Sequence, residues 1–127
     1  MDKILAEISA GELFDKITIL EIKKAKISNK EKLSDVEKEL SSLNKTVKKF
    51  IPDQNKISKH ISDLKNINLK LWDIEDGKRS AEKNKDFSKK FIELARNVYK
   101  FNDERAKIKL LINNELGSNI KEVKSYE

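Results

Sequence analysis

The stretch FSKKFIELARNVYKFNDERAKIKLLI, residues 87–112, decides the fold of this chain. Its apolar residues recur at alternating steps of four and three, with one arginine in the series: Phe87, Phe91, Leu94, Val98, Phe101, Arg105, Ile108 and Ile112. This spacing places one side chain per turn on a single face of an α-helix. Asp86 is a candidate N-cap, and Gly117 after Leu116 is a C-terminal cap signal. The pattern predicts a helix over residues 86–116.

Two apolar runs near the N-terminus have the same helical period. They are Leu13, Ile17, Leu20 and Ile27, followed by Leu33, Val36, Leu40, Leu43 and Val47. The runs are out of phase by one residue, so a helix over residues 10–49 either continues through a stutter at residues 28–31 or breaks briefly there. We expect it to continue. Ser9 and Glu12 fit a capping box at its start.

A third helical pattern follows Pro52, a residue that suits an early position in a helix. Its apolar positions are Ile57, Ile61, Leu64, Leu71 and Ile74. Asn68 occupies the slot where the spacing calls for an apolar side chain. We predict a helix over residues 53–83, which Gly77 weakens without ending.

Three helices joined by short connections predict an all-α protein, an antiparallel three-helix bundle with a long coiled-coil-like helical hairpin. Residues 1–127 form a single domain in this prediction, with residues 118–127 as a C-terminal tail. At 1.5 Å per residue the first helix is about 14 Å longer than the others, so its stripe from Leu33 to Val47 overhangs. An uncovered apolar stripe predicts a homodimer or a partner protein.

The composition argues against several functional classes. The chain has no cysteine, which excludes thiol nucleophiles and thiolate metal sites. Its net charge is +6, but basic and acidic residues are mixed along the whole length, which argues against a nucleic acid-binding surface. We find no secretory signal and no apolar run of membrane-spanning length, so we expect a soluble, cytoplasmic protein. Glycine-rich phosphate loops, Ser-His-Asp sets and zinc spacings are absent as well.

Arginine is rare and clustered: the chain has 25 Lys but 3 Arg, at positions 79, 96 and 105. Lysine serves equally well where only positive charge is needed, so the arginines indicate positions where a planar, bidentate donor matters. Arg105 stands out because it fills an apolar slot of the last helix. Such a residue must be paired, or its charged end must leave the core.

Arg105 and the polar residues around it define the candidate site. The candidate ligand-binding residues are Arg79, Arg96, Tyr99, Asn102, Arg105 and Lys109. The candidate acidic partners or metal ligands are Glu12, Asp15, Glu21, Glu75 and Glu82. Two interpretations stay open: a buried salt-bridge network that fixes helix register, and a pocket for an anion or a carboxylate-held metal.

Glu75, Arg79 and Glu82 share one helical face at positions i, i+4 and i+7. Paired carboxylates on adjacent helical turns can hold Mg²⁺, which makes Mg²⁺ a candidate cofactor. The same spacing is typical of a surface ion-pair ladder, and we favour that interpretation.

Three segments together resemble a known family. They are GELFDKITILEIKKAKI (residues 11–27), LWDIEDGKRSAE (71–82), and FIELARNVYKFNDERAKIKLLINNELGS (91–118) with EVKSY (122–126). Their anchors, GEL-x-DKITILEIK and ND-x-RA-x-IK-x-x-IN, resemble those of a family of short, uncharacterised bacterial helical proteins, a domain of unknown function. The resemblance implies an association with genes for surface-polysaccharide synthesis and a tail that docks on the bundle. It implies no activity.

The sequence leaves two functions open. We expect a structural or adaptor protein, linked to surface-polysaccharide biosynthesis, that binds protein through residues 33–47 and 57–71. The alternative is a small binding protein or enzyme acting on a phosphorylated sugar or nucleotide-sugar. In that case the three arginines bind phosphate, while Glu75 and Glu82 hold Mg²⁺ or act as acid and base. Whether the chain is an enzyme stays open.

Overall fold

The computed structural model describes residues 1–124 and contains no β-strand within them. Its four helices are α1 (Ala10–Lys26), α2 (Lys30–Phe50), α3 (Ser58–Lys83) and α4 (Lys89–Leu116). The all-α prediction is therefore confirmed, whereas the prediction of a three-helix bundle is wrong because residues 1–124 form four helices.

The additional helix arises because the predicted helix over residues 10–49 is broken. Ile27 is extended (φ −84°, ψ 133°), and Asn29 caps α2 by accepting a hydrogen bond from the Lys32 backbone N–H at 3.0 Å. The one-residue phase difference between the two apolar runs is the physical reason, since one straight helix presents them on different faces. Breaking the helix lets α2 pack against α1. The stripe that was predicted to overhang is thereby covered within the chain, with Val36, Leu40 and Val47 buried.

The helices α3 and α4 begin later than predicted because acidic side chains stabilise turns before them. The carboxylate of Asp53 accepts from the Asn55 backbone N–H at 3.0 Å, and α3 begins at Ser58. In the same way Asp86 accepts from the Ser88 backbone N–H at 3.1 Å, so Ser88 rather than Asp86 is the N-cap of α4. Gly117 ends α4 in the left-handed conformation (φ 62°), as its sequence position predicts.

The helices α3 and α4 form an antiparallel hairpin. A Cβ atom built on Gly77 meets Leu94 Cδ1 at 3.2 Å, and Lys70 Nζ lies 5.2 Å from the centre of the Phe101 ring. Moving seven residues back along α3 therefore moves seven residues forward along α4. The part of the hairpin farthest from the core, residues 75–108, contains no buried residue.

The core lies where α1 packs against each of the other three helices. Its buried apolar residues are Leu13, Phe14, Ile17, Leu20, Val36, Leu40, Val47, Ile57, Leu64 and Ile112. Helix α1 thus lies at the centre of the molecule, with α2 and the base of the hairpin packed around it. Within the described part of the chain no helix is long and apolar enough to cross a membrane.

The first turn of α1 touches the backbone of α4. The Gly11 N–H donates to Asn113 Oδ1 at 2.7 Å, and a Cβ atom on Gly11 would lie 2.4 Å from the Lys109 carbonyl oxygen. Only a residue without a side chain permits this approach. Ser9 caps the same turn by accepting from the Glu12 N–H at 3.1 Å, as the sequence predicts. The Glu12 carboxylate instead bonds Lys109.

We predict that Gly11→Ala destabilises the fold by about 1–3 kcal/mol, because the new methyl group meets backbone that cannot move aside. Gly77→Ala is the matched control, since its methyl group meets the flexible end of Leu94 at 3.2 Å and the change also favours helix formation. Thermal unfolding of both variants measures the difference. Equal melting temperatures for the two would contradict the close approach of α1 to α4.

Candidate functional site

The buried carboxylate of Asp15, in α1, is the centre of a polar cluster that joins three helices. Its side chain is 1% exposed. Oδ1 accepts from Arg105 Nε of α4 at 2.8 Å and from Asn68 Nδ2 of α3 at 3.0 Å. Oδ2 accepts from Arg105 Nη2, which completes a bidentate pair. The hydrogen bonds to Asp15 raise the pKa of Arg105 against the opposing effect of burial.

Asn68 is held by a second hydrogen bond. Its Nδ2 also donates to Thr18 Oγ1 at 2.9 Å, and Thr18 Oγ1 in turn donates to the Asp15 carbonyl oxygen at 2.9 Å. All three side chains are buried. Asn68 therefore fills an apolar slot of α3 because a buried carboxylate and a hydroxyl on α1 need its amide.

Lys109 forms a second charged centre one turn from Arg105. Its Nζ donates to Glu12 Oε2 at 2.7 Å and to Glu122 Oε2 at 2.6 Å, and it lies 4.0 Å from Asp15 Oδ2. Burial lowers the pKa of Lys109, but the bonds to Glu12 and Glu122 outweigh it and leave the pKa raised. The bond to Lys109 lowers the pKa of Glu122. This lysine thus ties the segment after α4 to the start of α1.

The cluster satisfies its own charges. No buried side-chain nitrogen or oxygen within the described residues lacks a hydrogen-bond partner. Arg105 also donates to Asn102 Oδ1 at 3.4 Å, so each of its three nitrogens has a partner within the chain. An incoming phosphate would have to displace the Asp15 carboxylate. The geometry therefore favours a network that fixes helix register over an anion pocket centred on Arg105.

A groove between α1 and α3 lies beside this cluster. It encloses about 440 Å³ and is lined by Ile19, Ile22, Asn68, Leu71, Trp72, Glu75, Asp76, Arg79 and Arg105. Ile22 is buried, and Ile19, Leu71 and Trp72 are half-buried, so the lining is mainly apolar. Glu75 pairs with Lys78 at 3.3 Å, whereas Arg79 makes no hydrogen bond or ion pair with the described residues.

The remaining predicted site residues lie apart from this groove. Arg96 and Tyr99 are exposed on α4 and do not line it. Glu21 pairs with Lys65 at 3.4 Å, and Glu82 is exposed near the end of α3. Asn102, Arg105 and Lys109 line a smaller cavity of about 140 Å³. Of the three arginines, then, the structure brings only Arg79 and Arg105 to one groove.

The carboxylates are dispersed rather than gathered. Within residues 1–124 no three His, Asp or Glu side chains lie close enough together to hold a metal ion. Asp15 and Glu12 already bind Arg105 and Lys109. Glu75 and Glu82 share a face of α3, but no third acidic or histidine side chain joins them. A Mg²⁺ ion held by Glu75 and Glu82 would therefore need most of its ligands from water or a bound molecule.

One known protein family matches nearly the whole chain. A family model of unknown function, DUF6165, matches residues 4–127. The chain belongs to this family. No curated protein and no solved structure matches it. The family match includes the whole polar cluster, from Glu12 and Asp15 of α1 to Glu122 after α4.

Sequence reasoning missed part of this cluster. Four residues of the network were not among the candidate site residues: Thr18, Asn68, Asn113 and Glu122. Asn68, Asn113 and Glu122 each form a hydrogen bond between separate elements, and Thr18 accepts a hydrogen bond from Asn68. The available signal was a polar residue in an apolar slot, which Asn68 shows as clearly as Arg105. Asn68 was recognised in such a slot but was not included among the candidate site residues.

We predict that Asp15→Asn destabilises the fold by about 2–4 kcal/mol, because it leaves the half-buried Arg105 guanidinium without its counter-charge. Glu21→Gln is the matched control: it removes a carboxylate from a pair on the same helix whose side chains are 39% and 43% exposed. Such a pair contributes about 0–1 kcal/mol. Urea unfolding of both variants measures the difference, and equal losses would contradict a structural role for the Asp15–Arg105 pair.

We predict that acid releases the segment after α4. Because the pKa of Glu122 is lowered from 4.5, its bond to Lys109 stabilises the folded state at neutral pH. That contribution is lost as the pH falls below 4.5 and through the lowered pKa. At high pH the stability changes in the opposite direction with pH. Because the pKa of Lys109 is raised from 10.5, its contribution to the stability of the folded state is lost only as the pH rises through that raised value.

Backbone amide NMR shifts of residues 118–124 across this acid range test the prediction. Wild-type protein in acid should resemble Glu122→Gln at neutral pH in this segment. Amides of the α3–α4 hairpin are the internal control, since their chemical shifts should be the same in Glu122→Gln as in the wild type. Identical tail spectra for the wild type and Glu122→Gln at neutral pH would show that the bond does not hold the tail.

Proposed function

We propose that this chain is an adaptor that receives an amphipathic segment of a partner protein in the groove between α1 and α3. The observation that carries the proposal is the combination of an apolar lining, which includes Trp72, with the guanidinium of Arg79, which has no partner among residues 1–124. Trp and Arg are the residues most enriched where a few side chains carry the binding energy of a protein interface. An amphipathic helix laid in a groove buries its apolar face and pairs charges along the edge.

The charges of the groove favour a polypeptide over a small anion. Arg105 is already neutralised by Asp15, and Arg79 has the carboxylates of Glu75 and Asp76 four and three residues before it. A phosphate would meet these carboxylates as well as the guanidinium. A partner segment with residues of both signs complements them, since charges of both signs lie along the edge.

The proposed surface differs from the one that periodicity indicated. Residues 33–47 and 57–71 were expected to form the binding face, but Val36, Leu40, Val47, Ile57 and Leu64 are buried in this chain's own core. A partner cannot reach them without unfolding α2. The groove at Trp72 is instead open to an incoming segment.

A second candidate function is retained because two arginines and a tryptophan line the same groove. In this alternative the groove binds a phosphorylated sugar or nucleotide-sugar, with phosphate on Arg79 and an aromatic or sugar ring against Trp72. Catalysis in this groove would assign an acid–base role to Glu75, which lines it, but not to Glu82, which lies apart from it. The resemblance to a family linked with surface-polysaccharide genes suggests enzymes of that synthesis as partners for the adaptor and their substrates as ligands for the alternative.

We expect a photo-crosslinking amino acid at Asp76, which lines the groove, to capture one discrete protein in cells. The same amino acid at Lys38, exposed on α2, is the control and should not capture it. Arg79→Glu and Trp72→Ala should each abolish the crosslink while circular dichroism shows the fold unchanged. Capture of the same proteins at both positions would contradict a partner in the groove.

We test the alternative by thermal unfolding with sugar phosphates and nucleotide-sugars at about 1 mM. A ligand at about 100 times its dissociation constant stabilises the native state by about 2.7 kcal/mol. A stabilisation that Arg79→Glu removes would favour the ligand-binding function. No stabilisation by any compound, together with a groove crosslink, would leave the adaptor as the function.

A further inference from the structure

The outer face of α4 carries a second stripe whose large apolar side chains are exposed in the part of the chain that the structure describes. We call it the outer stripe: Ile92, Arg96, Tyr99, Asp103, Ala106 and Leu110, at steps of four and three. It lies on the side of α4 roughly opposite the residues that face α3. Its three large apolar side chains are well exposed, with Ile92 at 46%, Tyr99 at 58% and Leu110 at 43%. A regular stripe of this kind is typical of a helix that pairs with another helix.

The two charged residues of the outer stripe are uncommitted and of opposite sign. Neither Arg96 nor Asp103 makes a hydrogen bond or ion pair with the described residues. Arg96 lies three residues before Tyr99, and Asp103 lies four residues after it. The stripe is therefore positive on one side of its central tyrosine and negative on the other. A surface with this arrangement is complementary to itself when one copy is turned end to end.

We propose that the outer stripe binds the outer stripe of a second copy of this chain, with the two α4 helices antiparallel. A two-fold axis near Tyr99 places Arg96 of each copy opposite Asp103 of the other. One contact thereby generates two equal ion pairs, as the isologous interface of a two-fold dimer requires. The tyrosines lie beside each other at the centre, where offset stacking of their rings is favourable.

The same register gives Ile92 of each copy a receiving site on the other. Ile92 of one copy falls opposite Lys107 of the other, within the hole formed by Asp103, Ala106, Lys107 and Leu110. Four residues at i, i+3, i+4 and i+7 are the hole that a knob fills in a coiled coil. In this chain these four residues line a cavity of about 340 Å³, together with Lys109, Asn113, Glu122 and Lys124. The cavity is large enough for an isoleucine side chain.

A second copy fits this surface better than an unrelated partner does. The charge pattern, the apolar spacing and the cavity are all satisfied by the stripe itself, in one register. The contact is short, because Ile92 to Leu110 spans about 27 Å of helix. With three large apolar side chains from each copy, the interface lies at the small end of specific interfaces and should form a weak, concentration-dependent dimer.

Analytical ultracentrifugation of the full chain tests the proposal. Concentrations from about 1 µM to 1 mM cover the dissociation constants expected of a weak dimer. We expect a monomer–dimer equilibrium in the wild type. Arg96→Asp and Asp103→Arg should each weaken the dimer at least about tenfold, because each substitution places like charges opposite each other twice. The double variant Arg96→Asp/Asp103→Arg should restore it, since both pairs are again of opposite sign.

Arg79→Asp is the control, because it makes the same charge change on α3, away from the outer stripe. It should leave the dimer intact while removing the partner proposed for the groove, so failures of the two proposals are distinguishable. A chain that stays monomeric throughout would overturn the inference. So would a dimer that neither single charge reversal weakens, or one that the double variant fails to restore.

Discussion

The buried carboxylate of Asp15 is the constraint on which the rest of the fold depends. A charged group that is 1% exposed is costly to bury unless its oxygens are paired. Its donors come from two other helices, Asn68 of α3 and Arg105 of α4. The carboxylate is therefore satisfied in only one relative register of α1, α3 and α4. Buried ion pairs add little net stability, so the main effect of this one is to exclude other registers.

The close approach of α1 to α4 follows from the same requirement. Gly11 and Asp15 are one helical turn apart on α1, and they meet Asn113 and Arg105 on α4. The missing side chain of Gly11 brings the two backbones together, which places the Asp15 carboxylate within bonding distance of the arginine. Lys109 lies between these contacts and carries its own pair of carboxylates. Gly11 and Asp15 therefore both determine how α1 packs against α4. Without the close approach at Gly11, the Asp15 carboxylate would lie too far from Arg105.

The fold could be predicted from sequence where one local pattern indicated one structure. It could not be predicted where the local pattern fitted two structures equally well. The unbroken spacing of residues 87–112 predicted α4 and its cap at Gly117. The junction at residues 28–31 carried both a phase shift and a capping signal, which fit a stutter as well as a break. Packing decides between them, since only a break lets Val36 and Leu40 reach the core.

The site was predictable to a similar extent. Arg105 was recognisable as a charge in an apolar slot, but its partner is 90 residues away and no local pattern distinguishes Asp15 from Glu12 or Glu21. Asn68 carried the same kind of signal, a polar residue in an apolar slot. Glu122 carried no signal at all in the periodicity, because it lies outside any helix and acts through Lys109.

The three arginines have different surroundings: Arg105 is paired inside the molecule, whereas Arg79 and Arg96 lie on its surface. In a chain that otherwise uses lysine, Arg105 shows what the retained arginines provide, which is a rigid fork that binds one carboxylate through two nitrogens. Arg79 and Arg96 have no such carboxylate among the described residues. If the same chemistry explains all three, the carboxylates for these two come from other molecules. In the proposed dimer, Arg96 binds Asp103 of a second copy. Arg79 lines a groove whose own carboxylates do not pair with it, and in the proposed adaptor its carboxylate comes from a different partner. The outer stripe lies on a different face of α4 from Arg105, which lines the groove, so the proposed self-association through α4 leaves the groove of each copy open.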